Sequence, residues 1–115
     1  IELCLATTQS RLQDQVIEMD SRTVASIVLV AGGYPGDYEK GKVITGTDSC
    51  EKSLLFHAGT AIKDGQLITS GGRVMAVTSF GNTIAEAQAI SMNNAAKVQF
   101  EKKYFRKDIG NDLIG

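Results

Sequence analysis

No apolar run in this sequence approaches the roughly 20 residues that a membrane-spanning helix requires, so no membrane partner is expected. A secretory leader is missing as well: the apolar stretch Ile1 to Leu5 is too short, and no small-residue cleavage site follows it. There is no excess of either charge. Twelve lysines and arginines stand against thirteen aspartates and glutamates, for a net charge of −1. Nucleic-acid binders draw affinity from a marked basic excess that neutralises phosphates, so nucleic acid is not expected as a partner. Histidine occurs once and cysteine twice. Cys4 and Cys50 lie far apart, with no companion Cys or His at metal-ligand spacing. The expected state is a reduced pair in a cytoplasmic protein. The chain opens on Ile1 without a methionine, which points to a fragment of something longer.

What is present suits one globular domain. A chain of 115 residues leaves no room for two, and an apolar fraction of 43% with 22% charged residues is ordinary for such a domain. Ile1, Cys4, Leu5 and Leu12 make a weak helical pattern that reads as the end of a helix begun upstream. Val24 to Ala31 is almost wholly apolar and β-branched, which predicts a strand buried on both faces. Gly33 to Tyr38 is a loop, Val43 to Thr45 a short strand, and Leu54 to Ala58 a longer one closed by Gly59-Thr60. Asp64-Gly65 predicts a tight turn from which Gln66 to Thr69 runs back antiparallel. Arg73 to Ser79 follows as another strand.

The clearest helix covers Thr83 to about Phe100. Thr83 and Glu86 have the spacing of a capping box, and Ile84, Ala87, Ser91, Ala95 and Val98 share one face. Tyr104 to Asp108 is expected to be a last short strand before a Gly-rich tail. The order predicts an α+β domain: a small, largely antiparallel sheet with a helix packed on one face.

Three glycine loops stand out: Gly32-Gly33-Tyr34-Pro35, His57-Ala58-Gly59-Thr60 and Ser70-Gly71-Gly72-Arg73. Glycines at strand ends let the backbone turn sharply and let its N–H groups approach a ligand, although any one such loop is equally a plain turn. Four runs, AGGYPGDYEKG, LFHAGT, TSGGRVMAVTSFG and YFRKDIG, in this order and spacing, resemble the C-terminal domain of the phosphoribosylamine–glycine ligase family. These enzymes, also called glycinamide ribonucleotide synthetases, belong to the ATP-grasp superfamily. The resemblance runs from about Val24 to Gly110. It implies that residues 1–20 are the tail and linker of a preceding ATP-grasp domain, and that 21–115 are the C-terminal domain.

The resemblance further implies an activity for the whole enzyme. ATP phosphorylates the carboxylate of glycine, and the amine of phosphoribosylamine attacks the acyl phosphate, giving glycinamide ribonucleotide, ADP and phosphate. ATP and its magnesium or manganese ions would be held by the upstream ATP-grasp core of the same polypeptide, and none by this segment. The C-terminal domain packs on that core and helps wall the phosphoribosyl site. In many eukaryotes the ligase is fused to aminoimidazole ribonucleotide synthetase. The isolated chain is expected to fold without catalysing ligation.

Carried onto this sequence, the resemblance marks Tyr34, Lys40, His57, Gly59, Thr60, Gly72, Arg73, Arg106 and Asp108 as substrate-binding, with no catalytic or metal-binding residue. Read by themselves, these residues leave alternatives open. Arg73 presents a guanidinium fork either to a phosphate or carboxylate, or simply to solvent at a strand edge. Lys40, beside Gly41, suits a phosphate contact or a solvated loop. His57 is read as a hydrogen-bonded residue that shapes the pocket, not as a general base, because an amine attacking an acyl phosphate needs little activation. Arg106 and Asp108 either pair with each other or face the cleft, and strand alternation would place both on one side. Lys102-Lys103 reads as a solvated face. The pattern departs from the family at Asp112, where a basic residue is expected, and at Met92-Asn93-Asn94, where an Ala-Tyr pair is usual. Two other readings compete: a biotinyl- or lipoyl-like carrier with Lys63 at its hairpin, and a structural domain whose glycines only turn the chain.

Overall fold

Alternation of large and small burial along β1 (Thr23–Val30) decides the layering of the fold. In a computed structural model describing residues 1–114, Ile27 and Leu29 are buried while Val24, Ser26 and Val28 face solvent. The strand therefore has one buried face, not two. The expectation of burial on both faces fails because only one layer covers this sheet.

That layer is α2 (Ile84–Lys97), on a three-stranded antiparallel sheet of order β1-β5-β2, with β2 at Ser53–His57 and β5 at Arg73–Gly81. Ile27, Leu29, Met75 and Val77 meet Ala95 and Val98 in the core. Val98, expected within the helix, is its C-terminal cap. Thr83 caps the start, its Oγ1 accepting the Glu86 N–H at 3.2 Å. Glu86 Oε2 returns to the N–H of Asn82, one residue earlier than an ordinary capping box would place it.

Small side chains on α2 do more than allow close approach. Asn94 Nδ2 lies 2.6 Å from Ser53 Oγ, which lies 2.7 Å from Ser79 Oγ; Ser91 Oγ follows at 2.8 Å and reaches the Ala25 carbonyl at 2.8 Å. One donor direction satisfies every hydroxyl of the row, each accepting one hydrogen bond and donating one, while Asn94 Oδ1 is left without a partner among the described residues. A buried polar row of this kind ties the helix to all three strands in one register.

A second sheet holds only β3 (Thr60–Lys63) and β4 (Gln66–Thr69), turning through Asp64 and Gly65. Both turn residues have positive φ, 50° and 76°, the geometry Asp-Gly favours. Thr60, expected to close the preceding strand, instead begins β3, the partner strand that the Asp64-Gly65 turn requires. Val43 and Thr45 make isolated bridges to Ile68 and Gln99, less than a strand.

The expected strand at Tyr104 to Asp108 does not form. Only Tyr104 bridges β1, exchanging two backbone hydrogen bonds with Val30, after which the chain bends toward Gly110 and the short 3-10 helix Asn111–Leu113. Upstream, α1 (Glu2–Thr8) is followed by a 3-10 turn at Leu12–Asp14 and an extended run into β1.

Candidate functional site

A one-residue irregularity in the pairing of β1 and β5 builds the site. Leu29 pairs with Met75, but Val30 pairs with Arg73, leaving Val74 without a partner on β1. In a regular strand Arg73 would share the face of Met75 and point at the helix layer. The bulge carries it to the opposite, open face, with Val28 and Val30.

Around Arg73 lie two adjoining depressions. One, of about 300 Å³, has Val28 and Val30 as its floor and Tyr34, Arg73, Tyr104 and Arg106 at its rim. The other, of about 670 Å³, is shared by Val28, Tyr34 and Arg73 and continues along Ala58, Gly59 and Gly72. The two glycine loops are held together by backbone bonds: the Gly59 N–H donates to the Arg73 carbonyl at 2.8 Å, and the Ser70 N–H to the Gly59 carbonyl at 2.7 Å. A Cβ on Gly59 would come within 2.6 Å of the Gly71 Cα. A Cβ on Gly72 would collide with the Tyr34 ring. Gly72 is thus what lets the Tyr34 ring pack closely against the loop.

The charges in the cleft are unequal. Among the described residues Arg73 makes no ion pair or hydrogen bond through its side chain. Arg106 is engaged: its Nε and Nη2 hold Asp108 at 3.0 and 2.7 Å. Hydrogen bonds from that guanidinium hold the Asp108 carboxyl below the usual carboxylate range, so both groups stay charged near neutral pH.

Tyr34, Gly59, Gly72, Arg73 and Arg106 are therefore brought together. The other expected site residues lie outside these two depressions. Lys40 stands 6.0 Å from the Tyr38 ring, on the loop surface. His57 and Thr60 bond each other at 2.9 Å between Nδ1 and Oγ1, at the start of the β3–β4 hairpin. Asp108 lies in a shallow neighbouring depression that also borders Arg106.

Four residues that sequence reasoning passed over, Tyr104, Glu39, Lys42 and Glu101, surround the candidate site. Tyr104 forms part of the rim, its backbone fixed by Val30; an aromatic two residues before Arg106 was the available signal. Glu39 binds Lys42 at 2.7 Å and Lys102 at 3.0 Å, and Lys42 also reaches Glu101 at 3.0 Å, clamping the Tyr34 loop to the segment before Tyr104. Hydrogen bonds from Lys42 and Lys102 bring the Glu39 pKa down to about 2. Lys102 is therefore ion-paired. It stays on the exposed face expected of it, whereas Lys103 does not: its half-buried ammonium caps the end of α2, donating to the carbonyls of Ala95 and Val98.

Comparison with known proteins bears on the same loops. The family model described as "Phosphoribosylglycinamide synthetase, C domain" matches residues 23–112. This chain belongs to that family. It is 42% identical over 113 residues to the phosphoribosylamine–glycine ligase of Escherichia coli (strain K12), a match covering 96% of this chain and 26% of the relative. The enzyme of the same name from Pseudomonas putida is 43% identical over 116 residues, covering 99% of this chain and again 26% of the relative. The crystal structure of the Thermotoga maritima phosphoribosylamine–glycine ligase superposes with a TM-score of 0.76 at 38% identity, over 93% of this chain and 27% of that one. The α+β fold is thus the C-domain fold of these ligases. The chain spans about a quarter of the length of the relatives it matches.

Proposed function

We propose that this chain is the C-terminal, substrate-binding domain of an ATP-dependent carbon–nitrogen ligase of purine synthesis. The complete enzyme joins glycine to 5-phosphoribosylamine, with ATP yielding ADP and phosphate. The carrying observation is Arg73, a guanidinium without a protein partner among the described residues, turned by a bulge into a cleft walled by Tyr34, Tyr104 and Arg106. A planar fork of donors suits a phosphate monoester, and the aromatic rims suit the ribose face beside it. Arg106, already paired with Asp108, contributes little net charge and serves to fix the rim.

The residues present do not fit a nucleotide–metal site. Among the described residues no group of three or more His, Cys, Asp or Glu side chains could hold a metal ion. ATP and its magnesium or manganese ions are assigned to an ATP-grasp core in the same polypeptide, with residues 1–20 as the tail of that core. Glycine activation, which needs ATP and its metal, is assigned to that core as well. His57 is bonded to Thr60 and has no part in proton transfer. Lys40, Thr60 and Asp108 lie outside the two depressions and are assigned to the approach to Arg73 and Arg106, not to the cleft itself. The working compartment is the cytoplasm, and fusion to aminoimidazole ribonucleotide synthetase fits the same reading. No helix of the described residues is long and apolar enough to cross a membrane.

Titrating the 15N-labelled chain with glycinamide ribonucleotide tests this reading. Amide shifts should concentrate at Tyr34, Gly59, Gly72, Arg73 and Tyr104, and spare the Asp64-Gly65 turn. Shifts confined to that turn, or none at millimolar ligand, would count against the cleft.

A further inference from the structure

The segment that carries Tyr104 and Arg106 to the cleft has little strand pairing to hold it. Among the described residues it pairs with β1 only at Val30, through two backbone hydrogen bonds to Tyr104 of 2.9 and 3.0 Å. Two side chains tie it to α2 instead. At its start, Lys103 Nζ donates to the carbonyls of Ala95 at 2.9 Å, Ala96 at 3.4 Å and Val98. An ammonium has three N–H donors, and these three acceptors use all of them. The last carbonyls of a helix lack partners within it and carry the negative end of its dipole, so a cation is favoured there. The Phe105 ring, 5.3 Å from the same nitrogen, closes a further side. At the far end, Gln88 in the second turn of α2 donates from Nε2 to the Ile109 carbonyl at 2.5 Å and to Asn111 Oδ1 at 2.7 Å. Both N–H groups of that amide are thus used. Between the two anchors Phe105 and Ile109 pack against the core, while Tyr104 and Arg106 reach the cleft rim.

We propose that Gln88 and Lys103 are positioning residues for the ligase reaction: both stand outside the cleft, and together they hang its Tyr104–Arg106 rim from α2 so that it faces Arg73. This rests on the substrate-binding role proposed for the cleft. The helix is a firm reference, because the hydroxyl row of Ser53, Ser79 and Ser91 fixes it to the sheet. Lys103 immediately precedes Tyr104 and sets that ring. Gln88 holds the turn in which the Asn111 N–H donates to the Asp108 carbonyl at 3.1 Å, and Asp108 in turn holds Arg106. Without either anchor, one end of the rim depends on the Val30 pairing alone. A binding group keeps its geometry only when the residues behind it are themselves locked, and here both locks come from one helix.

The test uses Gln88→Glu, which keeps the shape but turns a donor into an acceptor facing two oxygens, and Lys103→Met, which keeps the stem and loses the ammonium. Ile27→Val, a buried change under the helix, controls for lost stability. In the 15N-labelled chain, the Val30 and Tyr104 amides should exchange roughly 3- to 10-fold faster in Lys103→Met, and the Gly110 and Asn111 amides should shift in Gln88→Glu. In the Escherichia coli ligase with this chain replacing its matching segment, each anchor variant should raise the KM for phosphoribosylamine roughly 3- to 10-fold. The kcat and the KM for ATP should stay as they were, since only uniform binding is lost. Lys103→Arg, which keeps the charge and the donors, should bring that KM back toward the parent, and Ile27→Val should not move it. Unchanged amides at both ends would overturn the proposal. So would a KM for phosphoribosylamine that Arg73→Ala raises but neither anchor variant moves, or that Ile27→Val raises as much as they do. Loosened amides with a KM indifferent to the anchors and to Arg73→Ala would keep the anchoring and count against the substrate reading of the cleft.

Discussion

Arg73 stands across the sheet from Val30 while its near neighbour Met75 pairs with Leu29, and this one-residue slip brings the arginine to the cleft. Side-chain period in a strand is two, so a single unpaired residue exchanges the faces. Val74, buried completely, is the residue that absorbs the slip. Since Arg73 has no ionic partner among the described residues, its charge is free for a ligand at little expense to the fold. Arg73→Ala should accordingly change stability by no more than about 0.5 kcal/mol, as exposed substitutions usually do. Urea denaturation of the isolated chain measures this.

Gly72→Ala should behave in the opposite way. The new methyl meets the Tyr34 ring and must displace it, and overpacking of this kind costs about 1–3 kcal/mol. The melting temperature should drop, and ligand-induced shifts at Tyr34 should weaken together with it. A variant as stable as the parent with an unchanged Tyr34 environment would contradict the close approach.

The hydroxyl row beneath α2 gives a third expectation. Ser79→Ala removes the middle of the row and leaves Ser53 and Ser91 each one partner short. A loss of about 1–3 kcal/mol is expected for stranded buried polar groups. The double change Ser53→Ala/Ser79→Ala should cost less than the sum of the single changes, because the two hydroxyls share one interaction. Additive losses in a double-mutant cycle would show the row to be uncoupled.

Acid should loosen the loop that carries Tyr34. The folded-state pKa of Glu39, about 2, lies below its ordinary 4.5, held down by Lys42 and Lys102. A depressed carboxylate stabilises above its unfolded value and loses that contribution as pH falls from about 4.5 toward 2. Wild type should lose more stability across that window than Glu39→Gln, and added salt should narrow the gap because the pairs are exposed. Identical pH profiles would show that the clamp does not hold the loop.

Local chemistry was legible in the sequence; pairing between distant segments was not. Thr83 with Glu86 announced the start of α2, and Asp64-Gly65 announced the β3–β4 turn, because those signals reside in adjacent residues. The apolar run at Val24 to Ala31 gave a strand but concealed that half of it faces outward, since the number of layers is a property of the whole chain. Tyr104 to Asp108 alternates like a strand, yet past Tyr104 no neighbouring strand is within reach, and Arg106 turns to Asp108 instead. Lys103 looked like one of two solvated lysines until the carbonyl ends of α2 were seen to surround it. The Gly-rich motifs fall at the candidate cleft, while the bulge that aims Arg73 depends on the register of two strands more than forty residues apart.

The most direct measurement is the KM for phosphoribosylamine of the Escherichia coli ligase carrying this chain in place of its own C-terminal segment, with and without Arg73→Ala. A lost charge-assisted hydrogen bond to phosphate, about 1.5–3 kcal/mol, should raise KM roughly tenfold to a hundredfold. The KM values for ATP and glycine should stay as they were. An unchanged KM for phosphoribosylamine in a folded, active Arg73→Ala chimera would contradict the assignment of this cleft to the phosphoribosyl substrate.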